Sequence, residues 1–212
     1  LPRPGRGRGA RHGRGFFVRL LGELPRAIED GEVTLHYQPQ VDLATGALAC
    51  VEGLARWRHP ELGLLPAAEF VPLAERGTGI ALLTGHVLEL ALAQAAAWAA
   101  RGTPVNVAVN LSARHLHDRG LPALVARALA RHPVPPGRLE LEVTETAVVA
   151  SPERARAVLG ELAGMGVRLA LDDFGVGQTS LRLLEDLPVH LVKIDRSFVA
   201  GIAGRANDRA VV

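Results

Sequence analysis

The sequence predicts an α/β domain built on a mostly parallel sheet, either a barrel or a doubly wound sheet, and three observations predict it. Runs rich in Val, Ile and Leu alternate with long helical patterns, which implies parallel strands joined by crossover helices. The connection Gln40–Gly46 is too short to hold such a helix, so the first two strands are expected to form an antiparallel hairpin. With 212 residues and 48% hydrophobic composition, the chain can bury one sizeable core, which fits a single domain of the larger α/β kind.

The elements follow in order. Residues 1–15 are low-complexity Arg/Gly, a composition that cannot form a core and is expected to be a disordered tail or linker; the domain proper is expected over 16–212. Phe17, Leu20, Leu21, Leu24 and Ile28 form a helical stripe that stops at Asp30-Gly31. Strands are expected at Val33–Tyr37, Ala47–Trp57, Val105–Asn110, Leu139–Thr144, Val167–Leu171 and Val189–Ile194. Helices are expected at Ala68–Glu75, Ile80–Arg101, Leu121–His132 and Glu153–Gly164. Ser151-Pro152 supplies the last of these with a capping hydroxyl followed by Pro at the first helical position.

Composition excludes several classes. Formal net charge is +2, but Arg3, Arg6, Arg8, Arg11, Arg14 and Arg19 all precede residue 20, and the remainder carries 18 basic against 22 acidic residues, a net charge of −4. The basic character therefore belongs to the tail, and the globular part lacks the basic track of a nucleic-acid binder or nuclease. Cys50 is the only cysteine, so no intrachain disulfide forms and a cytoplasmic, reducing setting is expected. The first residues show no apolar h-region and no starting Met, so the chain reads as a piece of something longer, without a signal peptide. The stretch Ile80–Ala100 is long and apolar, but His86, Glu89 and Gln94 interrupt it, and it reads as a buried helix, not a membrane span.

The polar residues fall at the ends of strands. These are Glu52 and Arg56, Asn110, Glu142 and Glu145, Asp172 and Asp173, and Lys193 with Asp195. In a parallel α/β domain the carboxyl ends of the strands share one face, where sites are built. Carboxylates brought so close repel unless cations neutralise them, and oxygen donors with an Asn suit Mg²⁺ or Mn²⁺. Lys193 is the only lysine in a chain that otherwise uses arginine, which singles it out as a compact point charge for a water or phosphate oxygen. His115 and His117 have no zinc-like partners in sequence and are expected at the surface. No GxSxG elbow surrounds Ser112, Ser180 or Ser197, so serine nucleophile chemistry is not indicated.

Six segments, LHYQPQVDLATG, VEGLARWRHPELGLLPAAEFVPLAE, VAVNLSAR, LELEVTET, LALDDFGVGQTSL and LVKIDRSFV, closely resemble, in order and spacing, the EAL family of cyclic-di-GMP phosphodiesterases over about residues 20–212. The signature tripeptide reads Glu52-Gly53-Leu54 with Gly in place of Ala, and the loop reads GQTS where the family commonly has GYSS. The resemblance implies a modified TIM-type barrel with an antiparallel first strand, and two-metal hydrolysis of cyclic di-GMP to linear pGpG. It implies Glu52, Asn110, Glu142 and Asp172 as ligands of one Mg²⁺ or Mn²⁺, with Asp172 and Asp173 reaching a second. It further implies Lys193 holding the attacking water, Glu145 anchoring the glycine loop, and Arg56 and Gln38 contacting substrate. The family's next strand, ending in an EGVE-like motif that supplies the general base, is expected after a helix begun near Asn207; about six of eight strands are expected here, leaving open edges. The alternative reading is a catalytically inactive module that binds cyclic di-GMP or a protein partner. A homodimer and an upstream cyclase or sensor region are possible partners of either.

Overall fold

A computed structural model describes residues 14–77, 79–175 and 186–201. The expected tail lies outside the described residues up to position 13, and helix α1 (Arg14–Glu29) begins two residues inside its predicted end. Hairpin β1 (Val33–Val41) and β2 (Leu48–His59) is antiparallel, with Gln38 opposite Glu52 and Thr34 opposite Arg56. Asp42 shapes the turn: its Oδ1 accepts from the Ala44 and Thr45 amides and the Thr45 hydroxyl, a side-chain turn that adds to the backbone bonds from the Gly46 amide to the Asp42 carbonyl and from the Asp42 amide to the Ala47 carbonyl. Each strand is longer than its sequence pattern suggested, because β1 continues through the polar residues Gln38–Gln40.

Then come β3 (Gly63–Pro66), α2 (Ala67–Arg76), α3 (Gly79–Ala100), β4 (Asn106–Asn110), a 3₁₀ turn (Ala113–His117), α4 (Leu121–Arg131), β5 (Leu139–Thr144), α5 (Glu145–Ala150), α6 (Pro152–Gly164), β6 (Arg168–Phe174), β7 (Leu191–Ile194) and α7 (Arg196–Gly201). The seven strands form one mixed sheet in the order β1-β2-β4-β5-β6-β7, with β3 pairing β2. From β2 through β7 along that path every neighbour is parallel. The path carries the six strands the sequence predicts; β3 is a seventh, a short antiparallel strand that folds back on β2 after the Pro60–Gly63 turn. Among the described residues the sheet is open, with β1 and β7 at its ends.

Alternation explains the layering. In β2, Val51, Gly53, Ala55 and Trp57 are buried while Glu52, Leu54 and Arg56 are half-buried, as a period of two requires. Trp57 packs edge-on against Phe70 of α2, and Tyr37 of β1 against Trp98 of α3. Helix α3 is long and apolar enough by length and composition to cross a membrane. Its buried residues Leu83, Val87, Leu88, Ala91, Leu92 and Ala95 join the main core, as expected for a core helix of an α/β domain.

Candidate active site

Register places the polar residues together. Asn110, the last residue of β4, lies opposite Glu142 of β5, and Thr144 of β5 opposite Asp172 of β6. Lys193 of β7 closes the group: its Nζ donates to Glu142 Oε2 at 2.6 Å and to Glu52 Oε2 and Asp172 Oδ2, each at 3.3 Å. The Asn110 amide donates to Glu52 Oε1 at 2.7 Å. Four strands thus deliver three carboxylates and one ammonium to a common point, with Asn110 fixed beside them from a fifth.

The charge balance is uneven. Burial pushes the Glu142 pKa up to about 7; the Lys193 bond pulls it down, while Glu52 and Asp172 add to the rise. The Glu142 side chain is 0% exposed, and its Oε1 has no hydrogen-bond partner, an expensive state for a buried carboxylate. Burial works against the Lys193 ammonium, but its bond to Glu142 and the attraction of Glu142, Glu52 and Asp172 prevail and raise its pKa. Burial, then Asp172 and Asp195, raises Asp173.

Asp173 itself is exposed with φ 54°, and its amide donates to Asp172 Oδ1 at 2.9 Å. Asp is among the few residues that tolerate this left-handed region. Two residues on, Gly175 at φ 99° donates its amide to Glu145 Oε2 at 2.7 Å, so Glu145 grips the start of the loop. A Cβ at position 175 would lie 2.7 Å from the Phe198 ring, which only glycine avoids. The rest of that loop, including the GQTS segment, lies outside the described residues, as does the expected helix near Asn207.

Gln38 stands across the hairpin from Glu52. Arg56, four residues beyond Glu52 on the same face of β2 and hence roughly 13 Å further along it, donates to the Ala55 carbonyl at 2.8 Å. Among the described residues neither is hydrogen-bonded to the central cluster.

Two expectations need correction. His117 is exposed and accepts from Arg154, but His115 is buried at 1% exposure, because the chain after β4 turns into a 3₁₀ helix that packs against α5 and α6. Glu145 is not a strand-end residue; it opens α5, whose cap is the Thr144 hydroxyl accepting from the Ala147 amide. The Thr-x-x pattern at 144–147 was the available signal. Sequence reading also missed a bond from Ser112 to Glu75, 2.6 Å long, and a cavity of about 380 Å³ beside the site, lined by Val71, Glu75, Ile80, Leu83, Asn110 and Leu111.

Whether the donors suit a divalent cation can be judged from the orphaned Glu142 Oε1 and from three carboxylates sharing one ammonium. Both fit a hard cation with oxygen ligands. Among the described residues no three acids, histidines or cysteines already form a coordination group; the carboxylates converge on Lys193 instead.

Fold and site together define an α/β domain of TIM-like type whose strand ends gather acids around a single ammonium. The EAL domain family model matches residues 21–212, and the chain belongs to that family. It is 41% identical over 197 residues, 92% of its length, to the bifunctional diguanylate cyclase/cyclic di-GMP phosphodiesterase MucR of Pseudomonas aeruginosa. It is 39% identical over 194 residues to a cyclic di-GMP phosphodiesterase of the same organism. The chain covers only 29% and 33% of those two proteins. The solved cyclic di-GMP complex of the MucR phosphodiesterase superposes with a TM-score of 0.85 at 40% identity, covering 91% of this chain and 78% of that one. The EAL domain of FimX from Xanthomonas citri, in complex with c-di-GMP, superposes at 0.82 with 23% identity, covering 92% and 76%, a likeness of fold alone.

Proposed function

We propose that this domain hydrolyses cyclic di-GMP to linear pGpG with two Mg²⁺ or Mn²⁺ ions. The observation that carries the reading is the convergence of Glu52, Glu142 and Asp172 on Lys193, with Asn110 bonded to Glu52. The names of MucR and of the second Pseudomonas phosphodiesterase support it at the level of the family.

In this reading Glu52, Asn110, Glu142 and Asp172 would hold one cation, and Asp172 with Asp173 would hold the second. Bound cations would polarise the phosphodiester and favour hydroxide over water. Lys193 directs its ammonium at the attacking water, one of the few roles for which a compact point charge surpasses arginine. Arg56 and Gln38, on the face of the hairpin that carries Glu52, contact the substrate, Arg56 by meeting phosphate charge. Water oxygen forms the new bond to phosphorus, the bond from phosphorus to the 3′ oxygen breaks, and that oxygen leaves as a hydroxyl with a proton from solvent, giving a 5′-phosphorylated linear product. Glu145 holds the loop entry through Gly175 and so fixes the strand end that bears Asp172 and Asp173. A cyclase or sensor region in the same polypeptide, and pairing of two copies, accompany this reading.

The test is incubation of the purified full chain with cyclic di-GMP and Mn²⁺, following pGpG. Turnover that disappears in Glu52→Ala supports the hydrolase. Tight binding of cyclic di-GMP without turnover would instead make the domain a receptor, and no binding at all would end both readings.

A further inference from the structure

We infer that Glu75 is a positioning residue which, through Ser112, fixes the turn that aims Asn110 at Glu52. The role assigned to Asn110 rests on the hydrolase reading; the aiming itself does not.

Asn110 ends β4 and its side chain is exposed, so packing does little to orient it. Beyond it the ladder makes one more bond, from the Leu111 amide to the Glu142 carbonyl at 2.8 Å. The chain then leaves the sheet at Ser112. A hydroxyl has one proton to give and can accept as well. Ser112 Oγ accepts from the Arg114 amide at 3.2 Å, which starts the 3₁₀ turn, and gives its proton to Glu75 Oε1 at 2.6 Å. That length is typical of a hydroxyl bonded to a carboxylate, the strong class of hydrogen bond.

Glu75 is a suitable anchor because its helix is held elsewhere. Phe70, Leu73 and Ala74 of α2 are buried in the core. The bond joins positions 37 residues apart, tying the β3–α2 unit to the end of β4. It lies on the wall of the cavity that Glu75, Ser112 and Asn110 share. Leu111 and the 3₁₀ turn are also held by packing, but this bond is the tie from Ser112 to α2; without it Asn110 gains freedom to swing from Glu52. Precision of this kind governs activity, since misplacement by an ångström can cost about 100-fold in rate.

The direct readout is the Asn110 side-chain amide resonance in the full chain without metal, assigned by its loss in Asn110→Asp. Glu75→Ala and Ser112→Ala are expected to shift or broaden it, while Glu75→Gln, which keeps an acceptor oxygen, leaves it near its wild-type position. With Mn²⁺, the two alanine variants are expected to lower kcat about 10–100-fold with KM little changed. The double variant should lose no more than either single one, the mark of a shared interaction. An unmoved Asn110 signal in Glu75→Ala, additive losses, or Glu75→Gln as damaging as alanine would each overturn the inference. If the wild-type chain neither binds Mn²⁺ nor turns over, the hydrolase reading fails, and the resonance still decides the positioning role.

Discussion

Strands β5 and β7 deliver opposite charges to one point from opposite surroundings. Leu139, Leu141 and Val143 of β5 are 0%, 0% and 1% exposed, whereas Leu191 and Val192 of β7 are 37% and 39% exposed. Glu142, whose carboxyl pKa burial pushes up to about 7, sits on the strand with packing on both faces. Its partner ammonium arrives from β7, the last strand among the described residues. Among the described residues the site is therefore assembled across a gradient of packing that falls from β5 to β7.

The largest effect should come from cutting the packed strand. Leu141→Ala is expected to cost about 2–5 kcal/mol in urea unfolding, and Val192→Ala on the end strand under about 1 kcal/mol; equal losses would dissolve the contrast. Lys193→Met comes next, with an expected loss of about 1–3 kcal/mol, below the full cost of stripping a buried pair because Glu52 and Asp172 keep some solvent. Saturating Mn²⁺ should restore more stability to this variant than to the wild type, since ions that bind only the native state stabilise it. A melting temperature unmoved by Mn²⁺ in either protein would count against cation binding.

Smaller effects are set by protons. Burial pulls the His115 pKa below its ordinary 6.5, against Asp118 and Glu75. The unfolded chain then takes up the proton first, so this contribution to stability is complete above pH 6.5 and is lost as pH falls below it. The drop in melting temperature between pH 7 and 5.5 should shrink in His115→Leu. Cys50 should give the smallest signal: burial, with Glu140 and Glu142, pushes its thiol up to about 12, so at pH 8 it should react with Ellman's reagent only as the protein unfolds. Prompt reaction in the native state would show that β2 opens locally.

How much of this was legible depended on whether a residue's signal was local. The alternation of strands and helices, the tight hairpin and the acids at strand ends all follow from patterns within single segments. Glu52, Asn110, Glu142, Asp172 and Lys193 could be gathered on one face by the topology of parallel strands alone. β3 escaped because four residues after a Pro-containing turn carry no period. The burial of His115 and the Ser112–Glu75 bond escaped because both arise from contacts between distant segments, which no local pattern encodes. Arg56 and Gln38 were placed by resemblance; register sets both on the face of the hairpin that carries Glu52.

The ring of Phe198 seated against Gly175 has a mechanical corollary. Phe198 belongs to the helix after β7 and Gly175 to the exit of β6, and the two pack closer than any residue with a Cβ would allow. A side chain at position 175 would push the Phe198 ring aside, so this seam between the exit of β6 and the last described helix closes only around a glycine.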